Sequence, residues 1–576
     1  MTMAHESTDA KGPGIAAGKP TFIPPSRGVW MLDASHCERP RSTWGNAVFA
    51  GVYADGFRQG FARYGALLDT IEYAAIEGYP YTCVRPLGAP PDAKGPPPKW
   101  LFKLLLLFHP ALRKRVARAK DVMEARSWRE DIERFWRELP AEEARIAALA
   151  AEPIEQYDDD ELVDHVQRAY QVTRERLLEH FRTAAASMVP VGDFLAHVVR
   201  WTGGPPAAGL AALRGHSAAS VGGTRACEDA AAAIAADAEA AAILAGGEPA
   251  AAVLERLRAR DGAVGHMMTR LLDRYGDVIV SGHDVAELRL REIPDLVVKT
   301  LRARSSATAQ AHDARAAAER SAAELRAQVP EADRATFDAL LAEARVAYPL
   351  RDARGGVDFW ALGVMRRAML EIGECAVRRG RLERIDDVFD CTQAELLALA
   401  RGEAPPVELA QRARWRRTGK LEEAPPFLGG APGEPPPPEW LPGGAARAAA
   451  ALGVYLGLLW TEGEGGGRRD APIRGLGASP GRRTGPARLI RSAADFERLQ
   501  RGDILVAPIT TPAYNVILPL LAGVVTDRGG LLSHPAIVSR EYGFPGVVGA
   551  KDATARIPDG ALVEIDGDAG TVKVLK

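Results

Sequence analysis

The sequence has no uninterrupted run of eighteen apolar residues, and its N-terminus lacks a charged-then-apolar leader pattern. We therefore expect neither membrane spanning nor export, and we predict a cytoplasmic protein. The formal net charge is only −2, which favours neither a nucleic-acid partner nor an anionic membrane. Five cysteines are scattered without Cys-x-x-Cys spacing. They are expected to be reduced thiols, and no metal site is predicted.

Aromatic residues are scarce, at 6% of 576 residues, whereas hydrophobic residues of all kinds reach 47%. A chain of this length and composition can bury a large core and is expected to contain more than one domain. One stretch is richer in aromatics: Trp30, Trp44, Phe49, Tyr53, Phe57, Phe61, Tyr64 and Tyr73. Such a group can wall an apolar ligand pocket or belong to an ordinary helical core, and its spacing favours the core.

Helical periodicity dominates most of the chain. Apolar residues recur at three- and four-residue spacing in 100–152, 160–185, 230–245, 307–327 and 337–346. After a disordered N-terminus at 1–25, residues 26–402 are therefore predicted to form a large, mostly α-helical domain. Residues 403–470 are rich in Pro and Gly and predict a linker, interrupted by a short helix at about 445–460.

The most informative motif lies near residue 534. Residues 522–526 predict a buried strand, and 527–530 predict a glycine-rich turn that can adopt positive φ. A helix is expected to begin at about Ser533, a favoured N-cap residue, and to end at Gly543. His534 then lies at a helix N-terminus, where N–H groups and the positive end of the helix dipole would stabilise a phosphate on the imidazole.

Flanking segments extend this motif over about 100 residues. The segments are 475–490, 502–507, 510–512 and 560–574, the last of which is typical of a terminal hairpin. Together with His534, this order of motifs resembles the swivelling phosphohistidine domain of the phosphoenolpyruvate-utilising enzymes. The resemblance implies that 475–490 and 502–507 form the first two strands and that 510–512 is a loop facing the histidine. That family includes phosphoenolpyruvate synthase, pyruvate phosphate dikinase, rifampin phosphotransferase and phenylphosphate synthase.

The resemblance implies a small α/β domain over 471–576 that follows the helical domain, with His534 as the phosphate carrier. One departure is Leu532, because the dikinase branch usually has Thr two residues before the histidine. The resemblance also implies a set of residues that bind or support the phosphate: Arg528, Gly529, Gly530, Ser533 and Thr511.

Shorter motifs in the helical part resemble loops of the family's acceptor domain and occur in the same order. One runs from Trp30 to Ser42 and contains His36, and a second contains Tyr275-Gly276 and His283. For transfer to a hydroxyl, His36 or His283 is the implied base. A third motif contains Arg351 and Arg354, which are implied to contact the phosphoryl oxygens.

The layout implies a division of labour between two polypeptides. The sequence shows no Walker-type motif, too few predicted strands for an ATP-grasp domain, and no α/β barrel after the swivelling domain. ATP and Mg²⁺ are therefore expected on an ATP-grasp partner subunit, with no cofactor held firmly by this chain. The layout is similar to the histidine-bearing subunit of phenylphosphate synthase, or to rifampin phosphotransferase without its ATP-grasp domain.

The expected function is that of an enzyme, a phosphotransferase subunit that passes a phosphoryl group from His534 to a hydroxyl of a small, aromatic or otherwise apolar acceptor. Two alternatives stay open. One is an antibiotic-inactivating phosphotransferase of the rifampin type. The other is a non-catalytic phosphocarrier or regulatory protein, whose helical domain binds a partner protein.

Overall fold

The computed structural model describes residues 20–575, except 35–36, 38, 91, 94, 218–221, 281–282, 306–312, 461–470, 492, 511–513 and 516. Two predicted site residues, His36 and Thr511, lie outside the described residues. The same holds for most of the N-terminal segment that was predicted to be disordered.

The first large part of the chain is mostly helical, as predicted. Its helices are α1 (Thr43–Ala50), α2 (Tyr53–Tyr64), α3 (Lys99–Phe108), α4 (Pro110–Ala125), α5 (Trp128–Ala150), α6 (Asp159–Arg182), α7 (Ala184–Thr202), α8 (Ala207–Ala211), α9 (Gly222–Ala235), α10 (Ala238–Ala245), α11 (Ala250–Arg258), α12 (Ala263–Tyr275), α13 (Pro294–Ser305), α14 (Asp313–Gln328), α15 (Arg334–Ala347), α16 (Leu350–Arg378) and α17 (Gln393–Ala400). Among the described residues, no helix combines the length and apolarity needed to cross a bilayer. All five cysteines are free thiols.

Helix α16 organises this helical part. It is 29 residues long, and buried side chains occur all around it, because it runs through the core and not along the surface. Helix α6 packs alongside it and begins with a capping box in which Asp158 and Glu161 satisfy each other's backbone N–H groups. The third predicted motif, at residues 350–354, was expected to lead into a helix and instead forms the first turn of α16.

A small antiparallel sheet interrupts the helices and was not expected from their periodicity. Its strands are β1 (Trp30–Leu32), β2 (Leu68–Ile76), β3 (Tyr79–Pro86) and β4 (Phe427–Leu428), in the order β2-β3-β1-β4. The two longest strands form a hairpin whose turn residues, Glu77 and Gly78, both have positive φ, at 51° and 80°. Tyr73 therefore belongs to a strand, and the aromatic spacing there does not reflect a helix.

In the segment predicted as a linker, the short helix expected at about 445–460 is α19 (Gly443–Trp460). The structure adds α18 (Leu409–Thr418) and the pairing of β4 with β1, neither of which was predicted. Helix α19 lies against α7 so closely that a Cβ at Gly192 would come within 2.0 Å of the Ala451 carbonyl oxygen. Small residues on both helices permit this approach, which the Pro- and Gly-rich composition did not reveal. The predicted domain boundaries themselves stay predictions.

The C-terminal part is the predicted small α/β domain. It contains β5 (Ile473–Arg474), β6 (Leu476–Ser479), β7 (Arg482–Leu489), β8 (Asp503–Ala507), β9 (Leu521–Thr526), α20 (His534–Tyr542), β10 (Gly546–Val548), α21 (Ala553–Arg556), β11 (Leu562–Asp566) and β12 (Thr571–Val574). The sheet order is β5-β12-β11-β7-β8-β9-β10-β6, and β7, β8, β9 and β10 run parallel. Their carboxyl ends therefore share one edge, where ligands commonly bind.

The contact between α19 and α7 yields a stability prediction. The Arg447 guanidinium donates two hydrogen bonds to the buried Asp193 carboxylate, at 2.8 and 2.6 Å. Arg447→Met should lower the free energy of unfolding by about 1 to 3 kcal/mol, because the carboxylate loses two donors where water cannot replace them. Urea unfolding measures this change.

A matched control is Arg137→Met on α5, because the Arg137 side chain is 71% exposed. That variant should change the free energy of unfolding by no more than about 0.5 kcal/mol. Equal effects of the two substitutions would show that α19 is not anchored to α7 by this ion pair.

Candidate active site

The candidate site begins at the carboxyl ends of β8 and β9. Strand β8 leads to Thr510 and Asn515, and β9 leads through a turn to His534 at the start of α20. Because these strands are parallel neighbours, the residues that follow them meet at one edge of the sheet. His534 Nδ1 lies 2.9 Å from Thr510 Oγ1, and Nε2 lies 2.9 Å from Asn515 Oδ1. Both imidazole nitrogens are thus held by side chains of the adjacent loop.

The turn before His534 has the conformation that the sequence predicted. Gly529 has φ 105°, which favours glycine, and Ser533 has the extended N-cap conformation. Gly530 has no room for a side chain, since a Cβ there would lie 2.2 Å from the Leu458 carbonyl oxygen of α19. The Ser533 hydroxyl donates to the Gly530 carbonyl oxygen at 2.6 Å and does not cap the α20 amides. The glycines therefore serve turn geometry and close packing.

Burial keeps the imidazole of His534 uncharged. The His534 side chain is half-buried. Burial lowers the pKa of His534 to about 3, and the nearby Arg351 guanidinium makes a smaller contribution in the same direction. A neutral imidazole has one nitrogen lone pair available, and this is the form that can attack a phosphorus atom. The site therefore holds a histidine in its nucleophilic form at neutral pH.

Arg351 and Arg354 lie on the same face of α16, one turn apart, but they have different surroundings. The Arg351 guanidinium hydrogen-bonds the carbonyl oxygen of Leu532, two residues before His534. Arg354 is buried and donates to the His180 carbonyl oxygen, and burial lowers the pKa of its guanidinium to about 10. The structure thus brings Arg351 to the histidine loop, whereas Arg354 anchors the end of α6.

Arg528 connects the histidine loop to the N-terminal segment. Its guanidinium donates to the Ala34 carbonyl oxygen at 3.2 Å. The preceding residue, Asp527, accepts from the Thr554 backbone N–H at 2.9 Å and also from the Thr554 hydroxyl. Burial raises the pKa of the Asp527 carboxyl despite these donors. The turn is therefore fixed on one side by α21 and on the other by residues that precede α1.

A histidine–aspartate pair that the sequence analysis missed lies next to Arg354. His180 Nδ1 is 2.6 Å from Asp358 Oδ2, and the His180 side chain is 32% exposed while Asp358 is buried. Arg351, Arg354 and Asp358 recur at three- and four-residue spacing on α16, so the pair lies about 10 Å along the helix from Arg351. Such a pair fixes the tautomer of the imidazole and strengthens it as a proton acceptor.

Two of the predicted loop motifs do meet in space. The Asp284 carboxylate accepts from the Ser42 backbone N–H at 2.6 Å and from the Ser42 hydroxyl. Arg41 donates to the His283 carbonyl oxygen, and the His283 ring packs 4.8 Å from the Phe359 ring. The structure therefore assembles the segments around Ser42 and His283 into one unit, and the roles of His36 and His283 as bases stay predictions.

The aromatic residues divide into a core group and a half-exposed group. Tyr53 lies 4.3 Å from Phe181, 5.4 Å from Tyr73 and 5.0 Å from Phe57, measured between ring centroids. Tyr53, Phe57 and Tyr73 retain exposed surface, whereas the others of the predicted set are buried: Trp30, Trp44, Phe49, Phe61 and Tyr64. The half-exposed rings adjoin Phe181, the neighbour of His180, and can form an apolar wall.

Sequence profiles match two regions of the chain. The PEP-utilising enzyme mobile domain matches residues 499–570, which contain His534 and both of its hydrogen-bond partners. The rifampicin phosphotransferase fourth domain matches residues 179–352, from the end of α6 to the start of α16. The second match therefore includes His180 and Arg351.

Curated relatives resemble parts of the chain. An uncharacterized phosphotransferase of Bacillus subtilis, YvkC, is 32% identical over 211 residues, which are 36% of this chain and 23% of the relative. An uncharacterized protein of Mycobacterium tuberculosis is 34% identical over 216 residues, 38% of this chain and 22% of the relative. A probable phosphoenolpyruvate synthase of Archaeoglobus fulgidus is 46% identical over 100 residues, 17% of this chain and 13% of the relative.

These relatives are much longer than the matched regions, since the chain spans less than a quarter of each. The resemblance to the phosphoenolpyruvate-utilising enzymes is nevertheless confirmed, and the chain carries the mobile domain of that family. More narrowly, its helical part shares a domain with rifampicin phosphotransferase.

The low pKa of His534 can be measured directly. With ¹³Cε1-labelled histidine, the resonance absent from His534→Asn should show no titration between pH 8 and 5, because the ring stays neutral down to about pH 3. In that window the unfolded chain binds the proton first, so this histidine makes folding less favourable as pH falls below about 6.5. A titration midpoint near 6.5 would contradict the burial described here.

Proposed function

We propose that this chain is a phosphotransferase subunit in which His534 carries a phosphoryl group and transfers it to a hydroxyl of a small apolar acceptor. The observation that carries the proposal is the position of the neutral His534 at the N-terminus of α20, beside Arg351 of the helical part. A helix N-terminus stabilises phosphate oxygens, and a guanidinium supplies positive charge on the other side.

The transfer step requires few groups. The acceptor oxygen approaches the phosphorus atom opposite the His534 nitrogen, the P–N bond breaks as the P–O bond forms, and the imidazole of His534 becomes neutral again. The hydroxyl proton must leave the acceptor. We propose that His180 receives it, because Asp358 orients the ring and stabilises the imidazolium that forms. Arg351 would contact the equatorial oxygens of the phosphoryl group.

Charging of His534 is proposed to occur elsewhere. An ATP-grasp partner would hold ATP and Mg²⁺ and donate the phosphoryl group, as in the family that the sequence resembles. The contact of Arg351 with the loop that carries His534 supports delivery of the phosphoryl group to the helical part. The α/β domain would then have to leave this surface for charging, and its tether makes the return encounter intramolecular.

The half-exposed aromatic group supports an aromatic or otherwise apolar acceptor. Rings of Tyr53, Phe57 and Tyr73 can stack against such a molecule and exclude water from the transfer step. An antibiotic acceptor of the rifampin type is the second candidate, because the rifampicin phosphotransferase domain matches the region that supplies His180 and Arg351.

The first experiment follows label through both steps. The purified chain is incubated with a candidate ATP-grasp protein and ATP labelled at the β phosphate, and phenol is then added as the probe acceptor. Wild type should acquire acid-labile label and pass it to the phenol, whereas His534→Asn should acquire none. His109→Asn, which changes the N-cap histidine of α4, should behave as wild type.

Two outcomes of this experiment would count against the proposal. Acid-labile label on His534→Asn would place the carrier at another residue. Label that remains on wild type in the presence of phenols, alcohols and rifampicin would favour a phosphocarrier without a small-molecule acceptor.

Separate measurement of the two steps tests the proposed base. His180→Gln should leave the charging of His534 unchanged and slow transfer to the acceptor about 10²- to 10⁴-fold, since the step loses its proton acceptor.

The matched control changes a similar histidine–aspartate contact on α7. His197 Nδ1 lies 3.3 Å from Asp193 Oδ1, and His197→Gln should leave both the charging and the transfer rates near those of wild type. Loss of charging in His180→Gln would mean that His180 supports the fold or the carrier and does not act on the acceptor.

A further inference from the structure

Helix α3 presents an apolar face that no other described part of the chain covers. Trp100, Leu104, Leu107 and Phe108 recur at helical spacing on one side, and Trp100 and Phe108 are 65% and 76% exposed. Exposed aromatic and leucine side chains in one contiguous stripe are unusual on a soluble surface and mark an interaction site. These four residues form the α3 face.

The α3 face lies within a long basic segment of the chain. Residues 93–120 contain no Asp or Glu, and they contain eight cationic residues: Lys94, Lys99, Lys103, Arg113, Lys114, Arg115, Arg118 and Lys120. This segment therefore has a formal charge of +8 in a chain whose overall net charge is −2. No anionic membrane partner was expected from the overall charge. That overall value does not show that positive charge is concentrated in this segment.

Several of these cations lie on α3 or in the first turns of α4 and are available to an external anion. Lys99, Lys103, Arg113 and Lys114 are exposed, and none of the four forms an ion pair with another residue that the structure describes. Arg115, by contrast, donates to the carbonyl oxygens of Ala66 and Leu68. Arg118 donates to the carbonyl oxygen of Arg63, near the end of α2. Two exposed cationic side chains thus lie on α3 itself, and two more lie near the start of α4.

The other side of α3 is anchored in the protein. Phe102 is buried and packs against Trp440, with ring centroids 5.9 Å apart. Leu112, Val122 and Met123 of the next helix are buried in the same apolar cluster. The helix is therefore already folded and oriented. Binding through its exposed face would not carry the entropic cost of ordering this segment.

We propose that the α3 face docks this protein on the surface of an anionic lipid bilayer. Trp, Phe and Leu side chains insert at the boundary between head groups and acyl chains, while Lys and Arg side chains contact the anionic head groups. An acidic protein surface would satisfy the charges, but four exposed apolar side chains along one short helix also need an apolar phase, which the interior of a bilayer supplies.

Membrane docking goes beyond phosphotransfer and does not depend on it. It would position the helical part close to apolar hydroxyl compounds that partition into the bilayer, at a higher local concentration than in solution. The attachment is peripheral and reversible, because one short helix buries little apolar area.

Vesicle flotation tests this proposal with the full-length chain. Wild type should float with vesicles of phosphatidylcholine and phosphatidylglycerol, bind pure phosphatidylcholine at least about tenfold more weakly, and dissociate as salt is raised from about 0.05 to 0.5 M. The double variant Leu107→Ser/Phe108→Ser should lose at least about tenfold in binding to the anionic vesicles. The double variant Lys103→Glu/Lys114→Glu should do the same by reversing the charge.

Matched controls change similar side chains elsewhere on the surface. Val407→Ser replaces an apolar residue that is 95% exposed, and Arg137→Glu reverses an exposed charge on α5. Both should bind vesicles as wild type does. All of these variants are at exposed positions, so their thermal unfolding should match that of wild type, and circular dichroism checks this.

Two results would overturn the proposal. One is a failure of wild type to bind anionic vesicles at low salt. The other is binding that the α3 variants and the control variants reduce equally. Wild type could also fail to bind vesicles while only the α3 variants lose binding to the ATP-grasp protein. In that case the α3 face is a protein interface and not a membrane-binding surface. Charging and transfer of label are measured separately, so failure here leaves the phosphotransfer proposal unaffected.

Discussion

The burial of a neutral imidazole at one sheet edge is the constraint on which the rest of the site depends. His534 would be protonated more readily in water, but burial lowers its pKa to about 3, and Thr510 and Asn515 hold its two nitrogens. These three residues meet because β8 and β9 are parallel neighbours that end at the same edge. The glycine-rich turn places His534 at the first residue of α20, close to the positive end of the helix dipole.

The helical part completes this environment by direct packing. Leu532 accepts a hydrogen bond from Arg351, and its N–H donates to Leu458 of α19 at 3.2 Å. A second contact joins Glu541 of α20 to the Gly215 backbone N–H at 2.8 Å, and burial raises the pKa of that carboxyl to about 7. Apolar residues of α9 to α13 also share one core with the α/β domain. The structure therefore packs the histidine loop and α20 directly against the helical part.

Local sequence signals predicted the strand, turn and helix around His534, because each depends on residues adjacent in the chain, such as Gly529 and Ser533. They did not identify Asn515, and the predicted Thr511 is next to Thr510, the residue that contacts the imidazole. The His180–Asp358 pair joins positions 178 residues apart, and no local pattern encodes such a contact. The sequence analysis missed the β2-β3 hairpin and the packing of α19 for a related reason. Both depend on tertiary contacts that the local composition does not indicate.

The central claim is that His534 carries the phosphoryl group, and tandem mass spectrometry of the charged protein tests it most directly. The protein should be digested at alkaline pH, where a phosphorus–nitrogen bond to imidazole survives, and the modified peptide then fragmented. The account predicts one phosphoryl group on His534 that disappears after brief mild acid. An acid-stable phosphoryl group on a serine or threonine, or an acid-labile one on another histidine, would contradict it.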